Sequence, residues 1–273
     1  MANIELFDTH CHTHEMVRPL TPVYEKWHGD DTDRTPESVI AAANEAGVNR
    51  MLCIGTTLAD SELAIEFARE HEGHWASIGI HPHEAGEALA EGHLDAFRGL
   101  VAGSKVIAVG ECGLDYFYTH SSKEDQIIVL RAQIELAIEH DLPLSFHVRE
   151  AFDDFWPIFD SYRGANIRGV LHSYTDTTAN LEQAVKRGLH FGVNGIVTFT
   201  KSDDQRVTYR TIPQQLLLLE TDAPFLTPVP FRGKVCESKH VRVTAEFLAD
   251  LRGETLEDLA AYSTANARAL FKV

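Results

Sequence analysis

The chemically informative residues of this chain are histidines and carboxylates that come directly after short apolar runs. The six stretches are Asp8-Thr9-His10-Cys11-His12, Gly79-Ile80-His81-Pro82-His83, Gly110-Glu111-Cys112-Gly113-Leu114-Asp115, Phe146-His147-Val148-Arg149, Leu171-His172-Ser173 and Glu220-Thr221-Asp222-Ala223-Pro224. Residues two apart on a strand share a face, so Leu6, Asp8, His10 and His12 point the same way. Two imidazoles on one face can bind one cation. His14 extends the series, so His12/His14 competes with His10/His12, and His10 is preferred because it sits closer to the strand. Taken singly, a polar residue at a strand end is more often a loop residue or a helix cap. Six separate runs stopping at metal-compatible residues point instead to a shared metal site.

The donor set His10, His12, Glu111, His147, His172 and Asp222 holds nitrogen and oxygen only. It suits Zn, Mn, Co, Ni or Fe, with Mg possible but disfavoured by the imidazoles. One catalytic zinc needs three protein ligands, so this set is better used by two divalent ions about 3.5–4 Å apart, bridged by Glu111.

The elements that position these residues read as short buried strands alternating with helices. Strands are expected at Ile4–Phe7, Arg50–Ile54, Trp75–Ile80, Val106–Val109, Pro143–Phe146, Val170–His172, His190–Val193 and Leu216–Leu219. Their brevity and apolar character fit strands buried on both faces. Helices are expected at Pro36–Ala46, Ala59–Glu70, Leu94–Ala102, Lys123–His140, Glu150–Tyr162, Thr178–Arg187, Val241–Leu251 and Leu256–Leu270. Thr35, Ser122 and Thr255 are candidate N-caps. This alternation gives a parallel sheet with right-handed crossovers, either a closed (β/α)8 barrel or an open doubly wound sheet. No glycine-rich phosphate loop follows any strand, which weakens the nucleotide-binding open sheet. Met16–Arg34, with Tyr24, Trp27 and the acids Asp30, Asp31 and Asp33, reads as an irregular lid or mobile loop.

The chain has 273 residues, 24 Lys+Arg and 41 Asp+Glu, so its formal charge is 24 − 41 = −17. Its 44% apolar and 24% charged residues are ordinary for a globular protein and exclude disorder. A broadly basic surface that coats nucleic acid is also excluded, because counterion release needs clustered cations. No secretory signal or membrane span is read, and none of Cys11, Cys53, Cys112 and Cys236 pairs as C-x-x-C; a reduced cytoplasmic protein is expected. One domain over residues 1–273 is expected, with a monomer favoured.

The first, second, third and sixth stretches together, with Tyr116 after Asp115, resemble the TatD family of metal-dependent deoxyribonucleases, members of the amidohydrolase-like barrels. The resemblance runs in order over nearly the whole chain, to Asn266-Ala267-Arg268. It implies a single (β/α)8 TIM-type barrel and a divalent-metal nuclease acting on DNA, with short or single-stranded ends as substrate. By position, His10 and His12 match ligands of the first metal, Glu111 the bridge, and His147 and His172 ligands of the second. Asp222 matches a ligand of the first metal placed to handle the nucleophile's proton, and His81 an active-site histidine within reach of substrate. Cys236, Ser238 and His14 stand where the family usually has Asn, Pro and Asp, changes that leave the ligands intact.

The expected reaction is phosphodiester hydrolysis by a metal-activated hydroxide, with Asp222, Glu111 and His81 catalytic. Lys201, Arg232 and Lys234, after the seventh and eighth strands, and Arg149 are the expected phosphate contacts. Tyr116, with Phe117 and Tyr118 beside it, is a candidate for stacking a base. A second reading is amide or ester hydrolysis of a small molecule or an aminoacyl-RNA ester, since a fold does not fix chemistry. A third is a metal-dependent binding protein without catalysis.

Overall fold

A computed structural model describes residues 4–273. The first half carries β1 (Leu6–Cys11), α1 (Pro22–Trp27), α2 (Pro36–Glu45), β2 (Val48–Ile54), α3 (Leu58–Glu70), β3 (His74–Ile78), α4 (Ala85–Ala90), α5 (Leu94–Leu100), β4 (Val106–Asp115) and α6 (Lys123–Glu139). The second half carries β5 (Leu144–Arg149), α7 (Phe152–Asp160), β6 (Gly169–Leu171), α8 (Thr178–Lys186), β7 (His190–Val193), α9 (Asp203–Thr211), β8 (Leu217–Leu219), α10 (Val241–Arg252) and α11 (Leu256–Phe271). The strands neighbour one another in chain order, β1 to β8. A doubly wound sheet reverses its order at a switch point, so sequential order selects the (β/α)8 barrel. No helix among the described residues is long and apolar enough to cross a membrane.

The fold divides into two compact units. Unit 1 holds the described residues through Cys53, with Ser173–Ala269 and Val273. Here β1 pairs in parallel with β2, placing Cys11 opposite Cys53, and β7 pairs with β8. The end of β1 is tied to the segment after β8: Asp222 N–H donates to the His10 carbonyl and His12 N–H to the Ala223 carbonyl, both at 2.8 Å. Unit 2 holds Ile54–His172 and Leu270–Lys272. Its strands β3, β4, β5 and β6 pair in parallel, with Gly113 opposite His147.

Two expectations are corrected. Met16–Arg34 is not simply irregular, because it contains α1, started by the Thr21 hydroxyl accepting from Tyr24 N–H, with proline at its first position. Trp27 at its end is fully buried and donates its indole N–H to the His12 carbonyl at 3.0 Å, so the segment braces a metal-type residue. The acids beyond it are engaged in part: Arg34 pairs with Asp30 at 2.6 Å and Glu237 at 3.1 Å. The fourth strand does not stop at Val109 but continues to Asp115, buried throughout. Gly113 permits this, because its φ is +153° and a Cβ there would lie 1.8 Å from the His147 carbonyl oxygen.

Candidate metal centre

In unit 1 the donors come from β1 and the segment after β8. His10 is fully buried and His12 nearly so. Asp222 sits at φ +63°, a left-handed conformation uncommon for a side-chain-bearing residue. That backbone is held by the bond to the His10 carbonyl and by Phe225 N–H donating to the Asp222 carbonyl at 2.8 Å. The Nε2 atoms of His10 and His12 lie 3.7 and 3.4 Å from Asp222 Oδ1. Two donors each about 2.1 Å from a tetrahedral ion stand about 3.4 Å apart, so this spacing fits shared ligation. Asp8, fully buried on the same strand, accepts from Thr221 N–H at 2.9 Å and Thr221 Oγ1 at 2.7 Å. It therefore braces the turn that carries Asp222. Burial, with the nearby Cys11 second, pushes the Asp8 carboxyl well up.

Unit 2 brings together His81, Glu111, His147 and His172. Ligand-type atoms of His81, Glu111 and His147 all lie within 4.8 Å of one another. Glu111 Oε1 is the hub, 2.8 Å from His147 Nδ1, 3.6 Å from His81 Nε2 and 3.8 Å from His172 Nε2. His81 Nδ1 accepts the His83 amide at 3.1 Å, which leaves its proton on Nε2. Burial holds His81 down at about 3, so near neutral pH it is an uncharged imidazole with an N–H to donate. This suits contact with a substrate oxygen better than ligation.

Asp115, which closes the third stretch and has no site role in the sequence reading, lies against two of the histidines. Buried at the end of β4, its Oδ2 accepts from His147 Nε2 and His83 Nε2, both at 3.0 Å. Its Oδ1 accepts from the amides of Phe117 and Tyr118, both at 3.0 Å. Burial opposes ionisation, but these hydrogen bonds outweigh it and hold the carboxyl well below the usual range. Burial likewise pushes His147 down, and its bonds to Asp115 and Glu111 more than reverse this, to about 9. Asp115 thus orients His147, as a carboxylate behind a metal-ligating histidine does. The sequence signal was a strand that glycine allowed to run on.

Of the expected substrate contacts, Arg149, Lys201, Arg232 and Lys234 are exposed. The Arg149 guanidinium lies 4.0 Å from the Phe117 ring centroid. Arg232 lies 3.9 Å over Phe199 and donates to the Thr227 carbonyl at 2.9 Å. Tyr116 is half-buried, its hydroxyl donating to Asp154 at 2.8 Å and its ring covered by Lys123 Nζ at 3.8 Å.

The sequence pattern of the family described as "TatD related DNase" matches residues 7–272. The chain is 34% identical over 268 residues to "Uncharacterized metal-dependent hydrolase YabD" of Bacillus subtilis (strain 168), covering 98% of this chain and 99% of that one. It is 37% identical to the "3'-5' ssDNA/RNA exonuclease TatD" of Erwinia amylovora, covering 86% of this chain and 93% of that one. Among solved structures, YJJV, a TatD homolog from Escherichia coli K12, aligns with TM-score 0.85 and 26% identity over 99% of both chains. That likeness supports the TIM-type barrel inferred from strand order.

Proposed function

The chain belongs to the TatD-related DNase family and is a metal-dependent hydrolase, and from that premise we propose that it removes nucleotides from the ends of single-stranded DNA. The observation that carries this reading is the pair of donor groups, His10 and His12 at 3.7 and 3.4 Å from one Asp222 oxygen in unit 1, and His147 and His172 at 2.8 and 3.8 Å from one Glu111 oxygen in unit 2. The proposed cofactors are two divalent ions of the Zn, Mn, Co, Ni or Fe type, Mg being less suited to imidazoles. When bound, such ions supply positive charge that acidifies water and steadies a phosphate under attack.

The protein's own groups do the rest. Asp222, with its side chain 17% exposed, orients the attacking water, accepts its proton as the new bond to phosphorus forms, and returns it to the ester oxygen that leaves as the old P–O bond breaks. His81 donates from Nε2 to a phosphate oxygen, and Glu111 links the ligands of unit 2. Arg149, Lys201, Arg232, Lys234 and Tyr116 are assigned to the substrate side. With a net charge of −17, contact is limited to a few phosphates, which favours short or single-stranded ends and a shallow salt dependence.

The test uses protein stripped of divalent ions, an end-labelled single-stranded oligonucleotide, and each metal added back in turn. Release of mononucleotides from one end, only with added metal, is expected. Turnover of a lactone or an aminoacyl ester while the oligonucleotide stays intact would favour small-molecule hydrolysis instead.

A further inference from the structure

The loop after β4, in unit 2, leaves two large aromatic side chains at the surface, Phe117 at 49% and Tyr118 at 43% exposure. Leaving such area in water forgoes burial energy, and the packing of the fold does not require it. The rings meet edge to face at 4.8 Å. The Arg149 guanidinium lies over both, 4.0 Å from the Phe117 centroid and 4.9 Å from that of Tyr118. The backbone of the pair is fixed, because Asp115 Oδ1 accepts both loop amides while Oδ2 accepts from His147 Nε2. One buried carboxylate therefore fixes the aromatic pair and a metal-type histidine together. Tyr116 beside them is less exposed, with Lys123 Nζ over its ring and its hydroxyl donating to Asp154.

We propose that Phe117, Tyr118 and Arg149 form a subsite for one unpaired nucleobase and its phosphate, set in register with His147 by Asp115. The inference rests on the nuclease reading and deepens it. Stacking on an aromatic face is open to every base, so the subsite is tolerant of sequence. A base inside a duplex is already stacked on its neighbours and cannot enter, so the subsite selects single strands. The guanidinium adds a planar cation with N–H groups that match a phosphate.

The probe is a fluorescein-labelled single-stranded DNA, bound to metal-stripped protein and read by fluorescence anisotropy. Companion strands carry one abasic residue at each terminal position in turn. One abasic position should weaken binding to the parent roughly tenfold. Phe117→Ala with Tyr118→Ala should bind the intact strand roughly tenfold more weakly and lose the abasic sensitivity. The paired leucine variants, Phe117→Leu with Tyr118→Leu, keep apolar bulk without a π face and should behave as the alanine pair does. Parent-like affinity and abasic sensitivity in the alanine pair would overturn the subsite. Hydrolysis of the unmodified strand by the metal-loaded parent is scored separately. If it proceeds while the subsite test fails, only the subsite is lost; a parent that neither binds nor cleaves the strand removes both proposals.

Discussion

In unit 1 His10 and His12 lie 3.7 and 3.4 Å from Asp222. In unit 2 one donor, His147, is hydrogen-bonded to two carboxylates, Glu111 at 2.8 Å and Asp115 at 3.0 Å. The first group is positioned by backbone: two main-chain bonds across the end of β1, and a left-handed Asp222. The second is held by side chains and must give up the His147–Glu111 bond before an ion can enter. Pre-organisation of this kind tightens binding by removing reorganisation cost. An ion at the unit 1 group should therefore bind more tightly than one at the unit 2 group.

The largest expected effect tests the role given to unit 1. Asp222→Asn should lower kcat on an oligonucleotide by about a thousandfold, with an unchanged melting temperature. A loss under about tenfold would place the proton-handling group elsewhere. Next comes unit 2: Asp115→Asn should weaken metal binding by about 10- to 100-fold, confined to the weaker step of a calorimetric titration. His10→Ala should remove the tighter step. If the two variants exchange these effects, the ranking of the groups is reversed.

Acid stability separates structural histidines from the ligands. Burial holds His74 in unit 2 and His240 in unit 1 at about 4, against an ordinary 6.5. Below 6.5 the unfolded chain takes up a proton that the folded chain refuses, so stability falls as pH drops from about 6.5 towards 4. Each histidine should contribute about 1.4 kcal/mol of loss by about pH 5.5. Urea unfolding of His74→Phe should show a shallower acid slope than the parent, and an unchanged slope would contradict the assignment. The smallest effect concerns substrate: Lys201→Ala and Arg232→Ala should each raise KM about three- to tenfold, more than they lower kcat. Parent-like kinetics in both would move the phosphate contacts elsewhere.

The alternation of strand and helix was legible because buried strands read as apolar runs and several helices begin at clear caps. His190–Val193 was read to the residue, and Thr35 caps α2 through a reciprocal bond with Ser38. What escaped was structure carried by polar or small residues. α9 follows the Ser202 cap and opens with Asp203 and Asp204, yet it has so little apolar content that periodicity missed it. α4 is a single short element, Ala85–Ala90, with three alanines, one glycine and only one large apolar residue, Leu89. The run Gly110–Asp115 lacks an apolar pattern but is buried, so the sequence marks Asp115 as the end of a metal-type stretch without showing that it supports His147. The donors were legible one by one from their types. Their spacing was not, because it depends on backbone bonds such as that from Asp222 to His10.

Metal stoichiometry by elemental analysis, in the parent and in Glu111→Ala, tests the central claim most directly. Two divalent ions per chain are expected in the parent and one or none in the variant, in keeping with a bridging carboxylate. Two ions retained by Glu111→Ala, or none bound by the parent at any concentration, would contradict the account.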